Sequence, residues 1–385
     1  MTTTTVTTAP SVASSTSPTS PTTQLTIAMD GSYAARLAPA GDTGEVWVAE
    51  RWTLGGPEPY AVTLPLAQPE EPGTGVLPMA DGRVLVHRRV DGRHLFSLLY
   101  PTGPGTGELP LGAVECGSLV LLPPAPTGDC AYALAVGELS SSVWQVAGGA
   151  FGPEHVAEVP GRCSGGVWLD TTGRMLALDQ EVDGRTKTVA IDLERCGEVS
   201  PLLQIADDSN DRLLLADPAG GLILVRSDAP GHDLLGWGVL GSTLPIRFPE
   251  CLRLADCAVT PFAIQPGQML MPEQCAVALR IDGAAGTWLG LWRPADRTLH
   301  QVAGPEGWLA GTGLWGRDGL LQLPYVAGDV ACGVARVTPA ETPPAAASAE
   351  GVPEVGATPD PPAAAAAPRP VPLQQAPLKG RPSGG

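Results

Sequence analysis

The chain has 385 residues, 43% of them hydrophobic, and sets 40 acidic against 23 basic side chains for a formal net charge of −17. Such a balance, without any basic cluster, argues against nucleic acid, whose phosphates are gripped by Lys and Arg, and against an anionic membrane surface. No stretch approaches the roughly 20 apolar residues of a spanning helix, and residues 1–23 lack the basic start and apolar core of a secretion signal. The expectation is a cytoplasmic chain whose eight cysteines are thiols.

Residues 1–23 are mostly Thr and Ser, the composition of a disordered tail, although 2–8 (TTTTVTT) is β-branched throughout and suits a strand. From residue 24 a pattern begins and recurs, most clearly over 166–205, GVWLDTTGRMLALDQEVDGRTKTVAIDLERCGEVSPLLQI. Its first apolar run ends at Asp170 and Gly173, where Asp caps its own backbone and Gly accepts positive φ. A second run, RMLALD, closes at Asp183 and Gly184. An Asp-Gly pair between apolar runs is the strongest short hairpin signal, because both central residues of a type I′ turn need φ > 0. A third run, TKTVAID, turns at Gly197, and a fourth carries Pro201, which belongs on a sheet edge. The segment describes one four-stranded antiparallel sheet.

Further copies are anchored on the turn between first and second strands, at Asp30, Asp81, Gly128, Asn210, Glu273 and Asp318; with Thr172 the anchors lie 51, 47, 44, 38, 63 and 45 residues apart. A period in the forties with four strands per unit marks a β-propeller. In the fifth copy RLLLAD (212–217) is expected as second strand and LLGWGVL (234–240) as fourth, followed by an insertion at 242–267 that precedes an innermost strand QML in the sixth. Extra length on a rigid scaffold is where binding concentrates. The seventh copy runs out after Val337, so either 2–8 or 24–28 is expected to supply a closing strand. Residues 339–385, about half Pro and Ala, are expected to be a disordered tail.

The order of polar turn residues, Gly, apolar run, Asp-Gly turn and apolar run resembles the Trp-Asp and TolB-like repeats of the propeller superfamily, over about residues 24–338. It departs from them in that no unit ends in a Trp-Asp dipeptide and the Glu273 unit has no Asp-Gly anchor. The resemblance implies an architecture, all-β with seven four-stranded antiparallel blades, and no particular activity.

No catalytic or metal motif stands out. The cysteines include no C-x-x-C pair, only Cys251 and Cys257 are close, and no His lies at zinc-finger spacing, so no metal is expected. There is no Gly-x-Ser-x-Gly elbow and no glycine-rich loop opening a helix, so no cofactor is expected. Asp42 to Trp47 resembles the aspartate box of sialidases but has Val46 for the usual Thr and lies between the wrong strands. If Asp91 and Gly92 form a two-residue turn, Arg89 faces His94 and His87 faces Phe96; adjacent basic side chains on one hairpin point to a solvated face.

One pattern remains. Turns between second and third strands gather on one face of a propeller, and here they carry Asp42, Asp91, Glu138, Asp183, Asp282 and Asp329. Together they form an acidic rim suited to a basic peptide or surface, although Asp also precedes Gly in turns for conformational reasons alone. The expected innermost strands are apolar. The expectation is therefore a monomeric, non-catalytic protein-binding or scaffold propeller; the alternative is a propeller enzyme, a hydrolase or lyase with its site at the central channel.

Overall fold

The computed structural model describes residues 25–40, 46–267, 270–316 and 318–338. All lie in the first of two units, Met1–Glu341; the second, Thr342–Gly385, falls outside the described residues, as do 1–24, so the two expected tails and the strand expected at 2–8 are not described. The described residues form seven antiparallel sheets, five of four strands and two of three, with helix confined to two short 3-10 turns.

The strands follow in chain order from the inside of each blade outward. Blade one is Thr26–Ile27, Tyr33–Ala40, Val46–Thr53 and Tyr60–Leu64, and blade two is Gly75–Pro78, Val84–Val90, Arg93–Pro101 and Thr106–Glu115. Blade three is Leu119–Leu121, Ala131–Ala135, Ser140–Ala147 and Glu154–Pro160, and blade four is Arg162–Trp168, Met175–Val182, Arg185–Asp192 and Glu198–Leu203. Blade five has Asp211–Ala216, Leu222–Ser227 and Leu234–Val239; blade six has Ala258–Ile264, Val277–Gly283, Gly286–Trp292 and His300–Val302; blade seven has Leu314–Trp315, Leu321–Ala327 and Val330–Val337.

The middle strands are apolar on both faces because each blade is covered on both sides. Val84, Leu85 and Val86 are three consecutive residues with no exposed surface, two facing one neighbouring blade and one the other. The core is accordingly a set of slabs between blades. Seven apolar clusters occupy the seven seams in turn, from Ala35, Leu64, Val84 and Leu99 between blades one and two to Leu25, Trp52 and Leu309 between blades one and seven.

Three expectations are corrected. RLLLAD is the innermost strand of blade five, not its second, because the preceding turn around Asn210 joins two blades; the outermost position is taken by a single bridge, in which the Trp237 and Arg247 backbones exchange two hydrogen bonds of 2.9 Å. The expected insertion at 242–267 is consequently in part blade. It supplies that bridge and, as Ala258–Ile264, the inner strand of blade six, whose pairing shifts register between Pro261 and Ala263. Finally, 24–28 does not complete blade seven: Thr26–Ile27 pairs with Tyr33–Ala40 as the inner strand of blade one. Among the described residues the first and last blades share no strand, and their seam is held by packing and by Thr312 Oγ1, which donates to the Leu25 carbonyl over 3.1 Å.

Candidate functional site

The inner strands surround an axial cavity of about 780 Å³. Its wall is aliphatic and glycine-rich: Ile27, Val76, Val120, Leu121 and Leu122 alternate with Gly75, Gly165, Gly166 and Gly311. Volume and lining fall in the range of sites that take a small ligand or one inserted side chain. Gly165 and Gly166 form a bulge between Ser164 and Val167, with φ of +76° and +136°; a β-carbon on Gly166 would stand 2.7 Å from Leu122 Cδ2, so the blade-four wall accepts only glycine there.

The one histidine in the wall is His87. It lies on the second strand of blade two, directly opposite Gly75, four residues before the Asp91 turn and hence towards the face that carries the second-to-third-strand turns. The pairing of Arg89 with His94 and of His87 with Phe96 holds as the two-residue turn requires. The expected solvated face does not. His87 and His94 are 9% and 2% exposed, stack at 5.0 Å, and share a 2.8 Å hydrogen bond between His87 Nε2 and His94 Nδ1; His87 also stacks on Phe96. The reason is the seam with blade three, where Leu121 lies against Gly75, the residue directly opposite His87.

The electrostatics follow from that burial. Burial first, and the adjacent His94 second, pull His87 down to about 4. Burial also lowers His94 from the ordinary histidine range, with Arg89 adding to the effect and the Cys116 backbone opposing it. Cys116 lies outside full hydrogen-bond geometry, so His94 Nε2 is buried without a partner. At neutral pH both rings are uncharged and one proton sits between them. His87 Nδ1, the nitrogen beside Gly75, has no hydrogen-bond partner among the described residues.

The acidic turns divide into three groups. Asp91 and Asp183 stand at left-handed φ of +50° and +53°, each followed by a left-handed glycine, the type I′ geometry that the Asp-Gly pairs imply. With Glu138 and Asp329 they are exposed turn residues. Asp282 is not at a tip: it is paired in the strand with Thr287, takes a 2.9 Å bond from Arg280 Nε and a 2.6 Å bond from Thr287 Oγ1, and is thereby neutralised. Asp42 lies outside the described residues. The corrected strand order of blade five adds a turn that sequence reading assigned elsewhere, bearing Asp228, tied to Asn210, and Asp233, 3.2 Å from Arg226. Counting strand parity from the inner strand would have found it. His87 gave only a weak signal, since its burial depends on a neighbouring blade.

No family model and no curated protein matches the chain. Solved structures do. The chain is similar to a puromycin-hydrolysing peptidase of Mycobacterium tuberculosis (17% identity, TM-score 0.50, 84% of this chain and 53% of that one), so it spans about half of that enzyme. It is similar to the β-propeller domain of the Trilobed protease of Pyrococcus furiosus, described as having an open velcro topology (9% identity, TM-score 0.51, 79% and 89%). It is also similar to TolB of Acinetobacter baumannii (9% identity, TM-score 0.43, 76% and 74%). Likeness at such identities speaks for the fold alone. The chain is a seven-bladed β-propeller with a peptidase and a protease propeller domain among its structural neighbours.

Proposed function

We propose that this chain is a non-catalytic binding propeller that captures an extended basic segment of a protein partner, seating one apolar side chain of that segment in the axial cavity. The observation that carries the reading is the cavity itself, about 780 Å³ with an aliphatic wall. Asp91, Glu138, Asp183 and Asp329, exposed at second-to-third-strand turns, support a segment with Lys or Arg flanking the inserted residue. The competing reading, a hydrolase or lyase working from the channel, would use His87 as proton acceptor. An imidazole held at about 4 is a weak base at neutral pH, whereas a catalytic base is best matched to its working pH.

Fluorescence anisotropy on a library of labelled heptapeptides tests this. Peptides with an apolar centre flanked by Arg or Lys should bind, and more weakly as salt rises. Val120, 46% exposed on the cavity wall, can become Trp without opening the core, and Val120→Trp should abolish binding by filling the channel. A library without binders, or binders indifferent to this variant, would overturn the reading.

A further inference from the structure

We propose that His87 and Gly75 form a recognition point for a phenol, so that the side chain inserted into the cavity is a tyrosine whose hydroxyl bonds His87 Nδ1. This rests on the capture reading above and specifies its ligand.

The first observation is an unpartnered polar atom. His87 spends Nε2 on His94 and stacks against Phe96, which fixes the ring and leaves Nδ1 beside the cavity wall without a hydrogen-bond partner among the described residues. The second is the window in front of it. Gly75 lies opposite His87 on the neighbouring strand, and a β-carbon at residue 75 would come within 3.4 Å of Nδ1 and 3.1 Å of Leu121 Cδ1. Any side chain at 75 would therefore cover the nitrogen. Gly75 has no left-handed φ, so backbone conformation does not demand glycine there. The absence of a side chain keeps the imidazole open to the channel.

The chemistry of the opening selects its ligand. The pair is uncharged, so it offers no counter-charge to a carboxylate. It also offers no anion to a cation, which would enter an aliphatic wall at the cost of its hydration. What remains is a neutral hydrogen-bonding head on an apolar body. The single proton between the rings can lie on either nitrogen, so Nδ1 is an acceptor in one tautomer and a donor in the other. A tyrosine hydroxyl both donates and accepts and meets either form, while an indole N–H only donates. Tyrosine also brings a rigid ring for the wall formed by Val76, Leu121 and Leu122, the combination of apolar face and polar tip that makes it a frequent anchor at interfaces.

The test uses N-acetyl-tyrosinamide and N-acetyl-phenylalaninamide, uncharged probes that differ by one hydroxyl, titrated into the full chain by NMR. The tyrosine probe should bind about tenfold more tightly, the value of one hydrogen bond to a buried partner. His87→Phe, which keeps the stack on Phe96, should equalise the two, and so should Gly75→Ala, which keeps the histidine and covers it. His87→Gln, which restores a polar atom, should recover part of the preference. If both probes saturate with equal affinity in the wild type, or if the preference survives Gly75→Ala and His87→Phe, the phenol assignment falls while the cavity reading stands. If neither probe binds in a way that Val120→Trp abolishes, the cavity reading falls with it.

Discussion

His87 in blade two and Asp179 in blade four occupy the same point of the repeat. Each lies on a second strand four residues before an Asp-Gly turn, behind an inner-strand glycine of the cavity wall, Gly75 in one case and Gly165 in the other. Their surroundings differ. Burial raises the Asp179 carboxyl, but Oδ1 accepts a 2.8 Å bond from Thr188 Oγ1 within blade four and a 3.1 Å bond from the Leu213 amide, which fastens blade four to blade five. Beside it Asp211, wholly buried, takes bonds from Lys187 Nζ (2.7 Å), Ser227 Oγ (2.6 Å) and the Ile205 amide (2.9 Å). Burial alone would raise Asp211, and these donors hold it below the usual carboxylate range instead. The histidine pair hydrogen-bonds only within itself among the described residues, leaving His87 Nδ1 and His94 Nε2 unbonded at its two ends. Asp211, with both oxygens bonded, works as a fastener, and a buried group left with a spare atom at a cavity wall is positioned to meet a ligand.

The largest effect that separates the two seams is expected from Asp211→Ala. It leaves the Lys187 ammonium, whose side chain is 17% exposed, without its counter-ion, and strips Ser227 of its acceptor. Removing one partner of a buried ion pair costs about 3–5 kcal/mol, and partial exposure of the lysine places this case near the lower end. Thermal unfolding followed by near-UV circular dichroism should show a fall of about 5 °C; a shift of less than a degree would mean that the network is not a fastener.

A smaller effect comes from pH. An unfolded histidine takes its proton near 6.5, while His87 in the fold resists it down to about 4. Between those values the unfolded chain binds more protons than the native one, so stability should rise with pH, by at most about 1.4 kcal/mol per pH unit for one such group. His94 is lowered in the same direction and shares the effect. Urea midpoints at pH 7.5, 5.5 and 4.5 should therefore fall on acidification, and less steeply in His87→Phe. Arg89 is the charged side chain acting on His94, and an identical slope in the variant would assign the acid sensitivity to other groups.

What sequence made visible divides along the same line. The hairpins at Asp91 and Asp183 were legible because their conformation is a local property: Asp-Gly needs left-handed φ and the structure has it. The pairing of His87 with Phe96 followed from turn length alone. Blade five was misread because Asn210 and Asp211 look like a hairpin turn. Asp211 is instead the buried carboxylate that joins blades, and nothing local distinguishes a charge that caps a turn from one that receives a lysine 24 residues earlier. The inner strand of blade six is masked by Pro261, which local rules keep out of strand interiors and which here lies at a register shift. The histidine pair was placed on the right hairpin and in the wrong medium, since burial is decided by a neighbouring blade.

The smallest and sharpest contrast concerns the two glycines. Gly165 has φ of +76°, and a β-carbon there would lie 3.3 Å from Asp179 Oδ2, so Gly165→Ala strains the backbone of a bulge and should cost about 1–2 kcal/mol. At Gly75 the backbone is ordinary. Alanine there reduces the entropy of the unfolded chain, a gain of up to about 1 kcal/mol, and must ease Leu121 Cδ1 back from a 3.1 Å contact. The two terms are similar and opposed, so Gly75→Ala should change the urea midpoint little while Gly165→Ala lowers it clearly. Equal losses would make both glycines requirements of the fold. A stable Gly75→Ala protein that no longer tells tyrosine from phenylalanine would show that residue 75 is small for the sake of what enters the channel.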